Sequence, residues 1–388
     1  MSNHQVFERI LSEVRAIYGD GLVPLHRPTF SGNEKRYLTD CIDSNFVSSV
    51  GERVTEFENR IAEYAGAGFA IATVNGTAAL HAALQLAGVK QDDEVITQAL
   101  TFVAGCNAIR YCGAEPVFLD VSLDTFSLSP DAVKQFLETR AEVRPGGTYN
   151  RKTGRRLAAC VPMHTFGIPG RIDEIVKICR DYSIPVIEDA AESLGSYRAG
   201  QHTGTFGMFG TLSFNGNKVI TTGGGGMLLT NDRYLAEKAR HITTTAKVPH
   251  GYEFVHDEVG YNYRMPNLNA ALGCAQMEQL QGMLDTKATV AARYQSMAAT
   301  LGLQLAAPLE GDTSNFWLNA VVLSSIAERD ELLEYSNSHN IMMRPVWRLM
   351  PHLTMYARCY QDGLRNSLWL EERIVNLPSS VPETPLRA

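Results

Sequence analysis

The most definite chemistry in this chain sits in SFNGNKVITTGGGGMLLT (213–230), where Lys218 follows a short strand-like run and precedes four glycines, Gly223 to Gly226. Such a run suits neither a helix nor a strand interior, and it lets backbone approach a ligand closely. A lysine amine with a reference pKa of about 10.4 is a poor nucleophile near neutrality, but a cofactor aldehyde converts it to an imine and changes the problem. A P-loop also joins glycine to lysine. Its order, GxxxxGK followed by Ser or Thr, is missing here, because Lys218 comes before the glycines and Val219 follows it. Upstream, Glu188-Asp189-Ala190-Ala191-Glu192 closes the apolar run IPVIEDA (184–190). A carboxylate in that place either caps the next helix or faces a cation, such as a pyridinium nitrogen whose proton it holds. Asn75-Gly76-Thr77 lies between a strand and a helix, and is either a plain turn and N-cap or an anion site made of helix N–H groups and the Thr77 hydroxyl.

These residues need a scaffold, and residues 69 to about 245 supply a recognisable one. Short β-branched or apolar runs alternate with helical patterns, the signature of a mostly parallel sheet covered on both faces. Strands are expected at 69–74, 93–99, 115–121, 157–164, 184–190, 209–214 and 227–231. One intervening helix opens on Ser129 as its cap and Pro130 at its first position. In an open α/β sheet a ligand binds beyond the carboxyl ends of the strands, which is where all three motifs fall. After about residue 250 the pattern changes to long helical stretches (267–301 and 326–339) with strand-like runs at 319–324 and 341–346, as in a smaller α+β unit. The expected division is 1–250, an N-terminal segment with the large α/β domain, and 251–388, the smaller domain. The N-terminal residues read as a short amphipathic helix without the apolar stretch of a signal peptide. The basic stretch 144–156 reads as a solvated surface loop.

Composition narrows the partners. The 35 Lys and Arg against 42 Asp and Glu give a formal charge of −7, which offers no footprint for nucleic acid or an anionic membrane. No run of about 18 apolar residues occurs, so no span is expected. Cys41, Cys106, Cys112, Cys160, Cys179, Cys274 and Cys359 are odd in number, scattered and never in a CxxC pair, so neither a disulfide framework nor a metal site is expected and a cytoplasmic setting is.

Taken in order, NGTAAL (75–80), TFVA (101–104), PMHTFG (162–167), EDAAESLG (188–195), SFNGNK (213–218), TTGGGG (221–226) and GYNYRMPN (260–267) resemble the pyridoxal-phosphate sugar aminotransferases of the DegT/DnrJ/StrS family. The resemblance runs over about residues 25–360 and lies nearest to the legionaminic-acid and bacillosamine pathway enzymes. It implies an aspartate-aminotransferase-type fold (fold type I), with a mostly parallel seven-stranded sheet, and pyridoxal 5'-phosphate as cofactor. Residue by residue, Lys218 matches the Schiff-base lysine and Asp189 the partner of the pyridine nitrogen. Glu192 stands at the position that contacts the ring hydroxyl, often His or Gln in relatives. Phe102 matches an aromatic stacked on the ring, with a plain core Phe as the alternative. Gly76, Thr77 and Ser213 match groups that hold the phosphate, and Asn262 matches an asparagine that reaches it from the neighbouring subunit. His164 is either a site residue or a satisfied strand-end histidine. Arg344, Trp347, His352 and Tyr356 resemble the segment near the sugar nucleotide, or form an ordinary subunit interface. Many relatives carry Glu where this chain has Gly224, which reads as a substrate-side difference. The implied function is amino transfer from L-glutamate to the 4-keto group of a 4-keto-6-deoxy nucleotide sugar, UDP-linked and N-acetylated, by a homodimer with shared sites. A C3 dehydratase of the same fold would have histidine in place of Lys218. A silent regulator would carry an added DNA-binding domain, which neither the residues before Phe69 nor the charge suggests.

Overall fold

The computed structural model describes residues 2–384. Met1 and residues 385–388, the outer ends of the two expected units, lie outside that range. The seven expected strands are present as Phe69–Thr73, Glu94–Gln98, Glu115–Leu119, Leu157–Val161, Ile187–Asp189, Phe209–Ser213 and Gly226–Thr230. Hydrogen bonds give the lateral order 115–119, 94–98, 157–161 in one half and 187–189, 209–213, 226–230, 69–73 in the other. The halves meet through parallel bridges at Cys160 with Val186 and Met163 with Asp189, closed by the Asp189 N–H donating to the Pro162 carbonyl at 2.8 Å. The Ile187–Asp189 strand is shorter than the run 184–190 because its pairing at Val186 is an isolated bridge and Pro185 has no N–H to give.

One strand breaks the parallel rule, and the site depends on it. Gly226–Thr230 runs antiparallel to both neighbours, with Thr73 and Ser213 each paired to Gly226. The carboxyl ends of 69–73, 187–189 and 209–213 share one edge of the sheet, and the reversed strand starts at that same edge. The chain must therefore bring the glycine run back to the place where Asn75, Asp189 and Lys218 emerge.

Apolar layers cover both faces, as a parallel sheet requires. On one face, Leu80 and Leu84 of helix Gly76–Leu86, Ile109 and Ile242 pack on Ile71, Val95, Val161, Ile187 and Phe209. On the other, Val133 and Phe136 of helix Pro130–Arg140 and Ile172 and Ile175 of helix Ile172–Asp181 pack on Ile96, Val117, Leu119 and Cys160. Ser129 caps its helix as expected, its Oγ accepting the Ala132 N–H.

A second sheet, in the order 304–305, 319–322, 374–377, 344–345, is antiparallel throughout. Helix Asn3–Tyr18 buries Phe7, Ile10, Leu11, Val14 and Ile17 against this sheet and against Val290 and Tyr294 of helix Leu280–Leu301, so the chain's beginning packs on its end. The stretch 267–301 is two helices, Asn267–Met277 and Leu280–Leu301. The basic stretch 144–156 is not a plain loop. Ala141–Arg144 and Gly147–Asn150 form a β-hairpin, because Gly146 and Gly147 take the positive φ values (94° and 142°) that a tight turn between strands demands. Arg156, at its end, lies 2.6 Å from the Asp93 carboxylate.

Candidate active site

Lys218, Asp189, Glu192, Gly76, Thr77, Phe102, Ser213 and Trp347 line one cavity of about 370 Å³ at the sheet edge just described. Asn75 caps helix Gly76–Leu86, its Oδ1 taking the Ala78 N–H at 2.7 Å, and so sets the N–H groups of the first turn at the cavity wall beside Ser213. A Cβ on Gly76 would lie 3.0 Å from Ser213 Cβ, close enough that the helix start or the strand end would have to give by a few tenths of an ångström. A Cβ on Gly226 would lie 2.3 Å from the Asn75 carbonyl oxygen, whereas Gly224 has nothing nearer than 3.8 Å. The glycine run is thus demanded at its end by crowding, at Gly223 by a φ of 79°, and at Gly224 by neither.

The two carboxylates of EDAAE differ in their surroundings. Asp189 is buried, which pushes its pKa above the ordinary range against the opposing pull of the Ala191 N–H, Lys218 and His164. A buried carboxylate that lines a cavity is best matched by a cation there. A Cβ on Gly105 would approach Asp189 Oδ2 to 3.4 Å, so the glycine keeps the space before that oxygen clear. Glu192 Oε1 lies 3.5 Å from Lys218 Nζ, and Oε2 accepts the Phe166 N–H at 2.9 Å. Burial raises Glu192 to about 7, with Lys218 and the Phe166 N–H opposing and Asp189 adding to the rise. Phe166 holds that N–H in place from a left-handed backbone conformation, φ 59°, a strained choice for an aromatic residue.

Trp317, which the motifs did not mark, forms another wall. Its ring centroid is 4.0 Å from Lys218 Nζ, and its indole N–H donates to the Asn217 carbonyl at 2.6 Å. Asn315 sets it: the amide donates to the Glu192 and Leu194 carbonyls, and Oδ1 accepts the Trp317 N–H. Asn215, Asn217 and Met163 also line the cavity without having been singled out. Phe102 is half exposed at the start of helix Val103–Tyr111, 6.2 Å from Trp347, so it is a cavity aromatic and not a core residue.

Other expected residues lie elsewhere. His164 is not at the cavity. It is 1% exposed, its Nδ1 accepting the Gly170 N–H and its Nε2 facing Glu188 at 3.1 Å, while its neighbour Met163 takes the cavity side. Glu188 accepts three further N–H groups, from Gly204, Phe206 and Gly207. Tyr356 is also buried away from the cavity, donating to Asn107. His352 pairs with Glu371 at 3.0 Å, and Arg344 and Trp347 line an adjoining cavity. Asn262 is exposed in a separate surface cavity beside Arg240 and Arg264, apart from the Lys218 of its own chain.

The donor set fits pyridoxal phosphate. A helix N-terminus with a threonine and a serine suits the phosphate, a buried carboxylate with space kept before it suits the pyridinium, and a lysine stands between aromatic walls.

Comparison with known proteins gives the same picture. A profile of the DegT/DnrJ/EryC1/StrS aminotransferase family matches residues 28–384. A protein named GDP-perosamine synthase from Caulobacter vibrioides is 37% identical, covering 87% of this chain and 88% of its own. One of the same name from Vibrio cholerae is 35% identical, covering 92% and 94%. Among solved structures, the aminotransferase TlmJ from Streptoalloteichus hindustanus has a TM-score of 0.83 at 27% identity, covering 92% of this chain and 94% of that one. The fold is therefore the aspartate-aminotransferase type, with one antiparallel strand in the large sheet. No helix among the described residues is long and apolar enough to cross a membrane.

Proposed function

The chain belongs to the DegT/DnrJ/EryC1/StrS aminotransferase family, a pyridoxal-phosphate-dependent sugar aminotransferase by that membership, and from that premise we propose its reaction. L-Glutamate gives its amino group to the 4-keto carbon of a nucleotide-linked 4-keto-6-deoxy hexose. The product is a 4-amino-4,6-dideoxy nucleotide sugar for surface glycan or nonulosonic acid synthesis in the cytoplasm. The observation that carries this reading is the convergence of Lys218, Asp189 and a capped helix N-terminus on one cavity.

Bound there, pyridoxal phosphate supplies an aldehyde for amine exchange and a ring that takes up the electron pair left when a C–H proton departs. Gly76, Thr77 and Ser213 would hold its phosphate, and Phe102 would cover the ring. Asp189 would keep the ring nitrogen protonated, a role its burial favours because an ionised carboxylate there is otherwise uncompensated. Lys218 Nζ is the base placed to take the α-proton of the donor, and in the second half-reaction it would deliver a proton to the sugar's C4. Glu192, 3.5 Å from Nζ, is the group beside it that can hold or release a proton near neutrality.

The sequence resemblance favours a UDP-linked N-acetylated hexose. The name of both curated relatives specifies a GDP-linked product, which supports GDP as the second reading. Incubation with L-glutamate and a panel of UDP- and GDP-linked 4-keto-6-deoxy sugars, read by mass, tests the proposal. Replacement of one carbonyl oxygen by an amino group in one nucleotide series is the expected result. Amination of none of them would overturn it.

The working unit we propose is a homodimer in which Asn262 of one chain completes the phosphate site of the other. Its exposure outside its own Lys218 cavity supports this. So do the exposed apolar side chains Phe46, Val50, Tyr252, Phe254 and Val259 on neighbouring loops.

A further inference from the structure

Lys218 is tied at both ends to one side chain to which the proposed chemistry gives no part. The indole N–H of Trp317 donates to the Asn217 carbonyl at 2.6 Å and so fixes the peptide just before Lys218, whose own N–H closes a turn on the Asn215 carbonyl at 3.0 Å. At the other end, Lys218 Nζ lies 4.0 Å from the ring centroid of the same indole. Glu192 is the one carboxylate paired with Nζ among the described residues, at 3.5 Å.

Trp317 is itself held from several directions. It is buried, its main-chain N–H donates to Asn315 Oδ1 at 2.8 Å, and its main-chain carbonyl accepts Lys287 Nζ at 3.3 Å. The segment that carries it is paired to the loop that carries Glu192. Thr313 and Tyr197 exchange main-chain hydrogen bonds at 2.8 and 2.9 Å, and the Asn315 amide donates to the Glu192 and Leu194 carbonyls. A ring fixed in this way stays in place when Nζ moves. It gives the lysine a defined position to return to.

A π face and a carboxylate both attract a positively charged nitrogen, and tryptophan offers the strongest face. A cofactor aldehyde that exchanges its lysine for another amine leaves that lysine free until the amine has been passed on. A free lysine amine carries a full positive charge near neutrality. A nitrogen bonded to the cofactor shares its charge with a conjugated ring and gains less from the face. We propose that Trp317 is a positioning residue for amino transfer: with Glu192, its ring holds Lys218 as an ammonium while the amine is on the cofactor, and so favours the amine-bearing form of the enzyme over the lysine-bound one. This rests on the amino-transfer reading above.

Trp317→Phe and Trp317→Leu test this against wild type. Both lose the indole N–H, so the difference between them reads the aromatic face. The cofactor-loaded proteins are brought to equilibrium with fixed mixtures of L-glutamate and 2-oxoglutarate, and absorbance gives the ratio of lysine-bound to amine-bearing cofactor. That ratio is expected to rise about fivefold or more in Trp317→Leu and by less in Trp317→Phe. A wall that merely fills space affects both forms alike, so an unchanged ratio, or one that falls, overturns the proposal. If Trp317→Leu does not retain cofactor, Trp317→Phe decides by the same rule. In the cofactor-free chain, a double-mutant cycle of Trp317→Leu with Lys218→Met is expected to show a coupling of about fivefold in the unfolding constant, and additive effects overturn the proposal as well. Wild-type enzyme that stays lysine-bound in glutamate would overturn the amino-donor reading itself, an outcome distinct from a wild-type conversion that Trp317 does not affect.

Discussion

Asp189 and Glu192 sit three residues apart around one lysine, and the difference between them lies in what opposes their burial. Glu192 has Lys218 and a main-chain N–H against it and still titrates at about 7, above the ordinary carboxylate range. A carboxyl whose proton is held more tightly in the folded chain contributes fully below the ordinary value of about 4.3. That contribution is lost as pH rises through about 7. Replacing Glu192 with Gln removes the penalty. The cofactor-free Glu192→Gln protein is expected to be more stable than wild type at pH 8, by on the order of 3 kcal/mol, and nearly equal to it at pH 4. Denaturant midpoints at the two pH values check this, and a variant less stable at pH 8 would mean that the Lys218 contact outweighs burial. The EDAAE motif made the pair visible in the sequence. Which of His164 and Met163 faces the cavity was not visible, because a strand end alternates sides and only the Glu188 and Gly170 partners settle which way the imidazole turns.

At the scale of elements, the site exists because a strand runs backwards. Seven β-prone runs at helical intervals were readable in the sequence, and they imply a mostly parallel sheet with the motifs at its carboxyl edge. The reversal of Gly226–Thr230 was not readable, since direction is set by pairing partners far away in the chain. It explains why glycine is required at that strand's first residue. Gly226→Ala forces a Cβ against the Asn75 carbonyl and the N-terminus of helix Gly76–Leu86, whereas Gly224→Ala meets open space. The first is expected to lose about 1–3 kcal/mol and to weaken cofactor retention, and the second to leave the unfolding free energy within about 0.5 kcal/mol of wild type. Thermal unfolding of both variants, with cofactor absorbance read alongside, decides the matter. Trp317 and Asn315 escaped notice for a related reason: they arrive from about a hundred residues beyond Lys218, and their own segment has no motif spacing to mark it.

At the scale of the whole molecule, the first helix, Asn3–Tyr18, buries its apolar face with residues of the last strand, so we propose that the smaller unit comprises that helix together with the chain after about residue 250. The shared-site proposal concerns a second copy. If Asn262 acts across the interface, a Lys218→Ala chain and an Asn262→Ala chain are each weak alone, and mixing them creates one site with both residues intact. Activity should return on mixing, and the protein should sediment as a dimer. No recovery, with Asn262→Ala impaired by itself, would place Asn262 in service of its own chain. The central claim, that Lys218 in this cavity carries out amino transfer, is tested most directly by a single half-reaction. Cofactor-loaded wild-type protein mixed with L-glutamate and no sugar should release 2-oxoglutarate in an amount equal to its sites and then stop, and Lys218→Ala should release none at a comparable rate. Release that requires the sugar, or that persists at the wild-type rate without Lys218, would contradict the account.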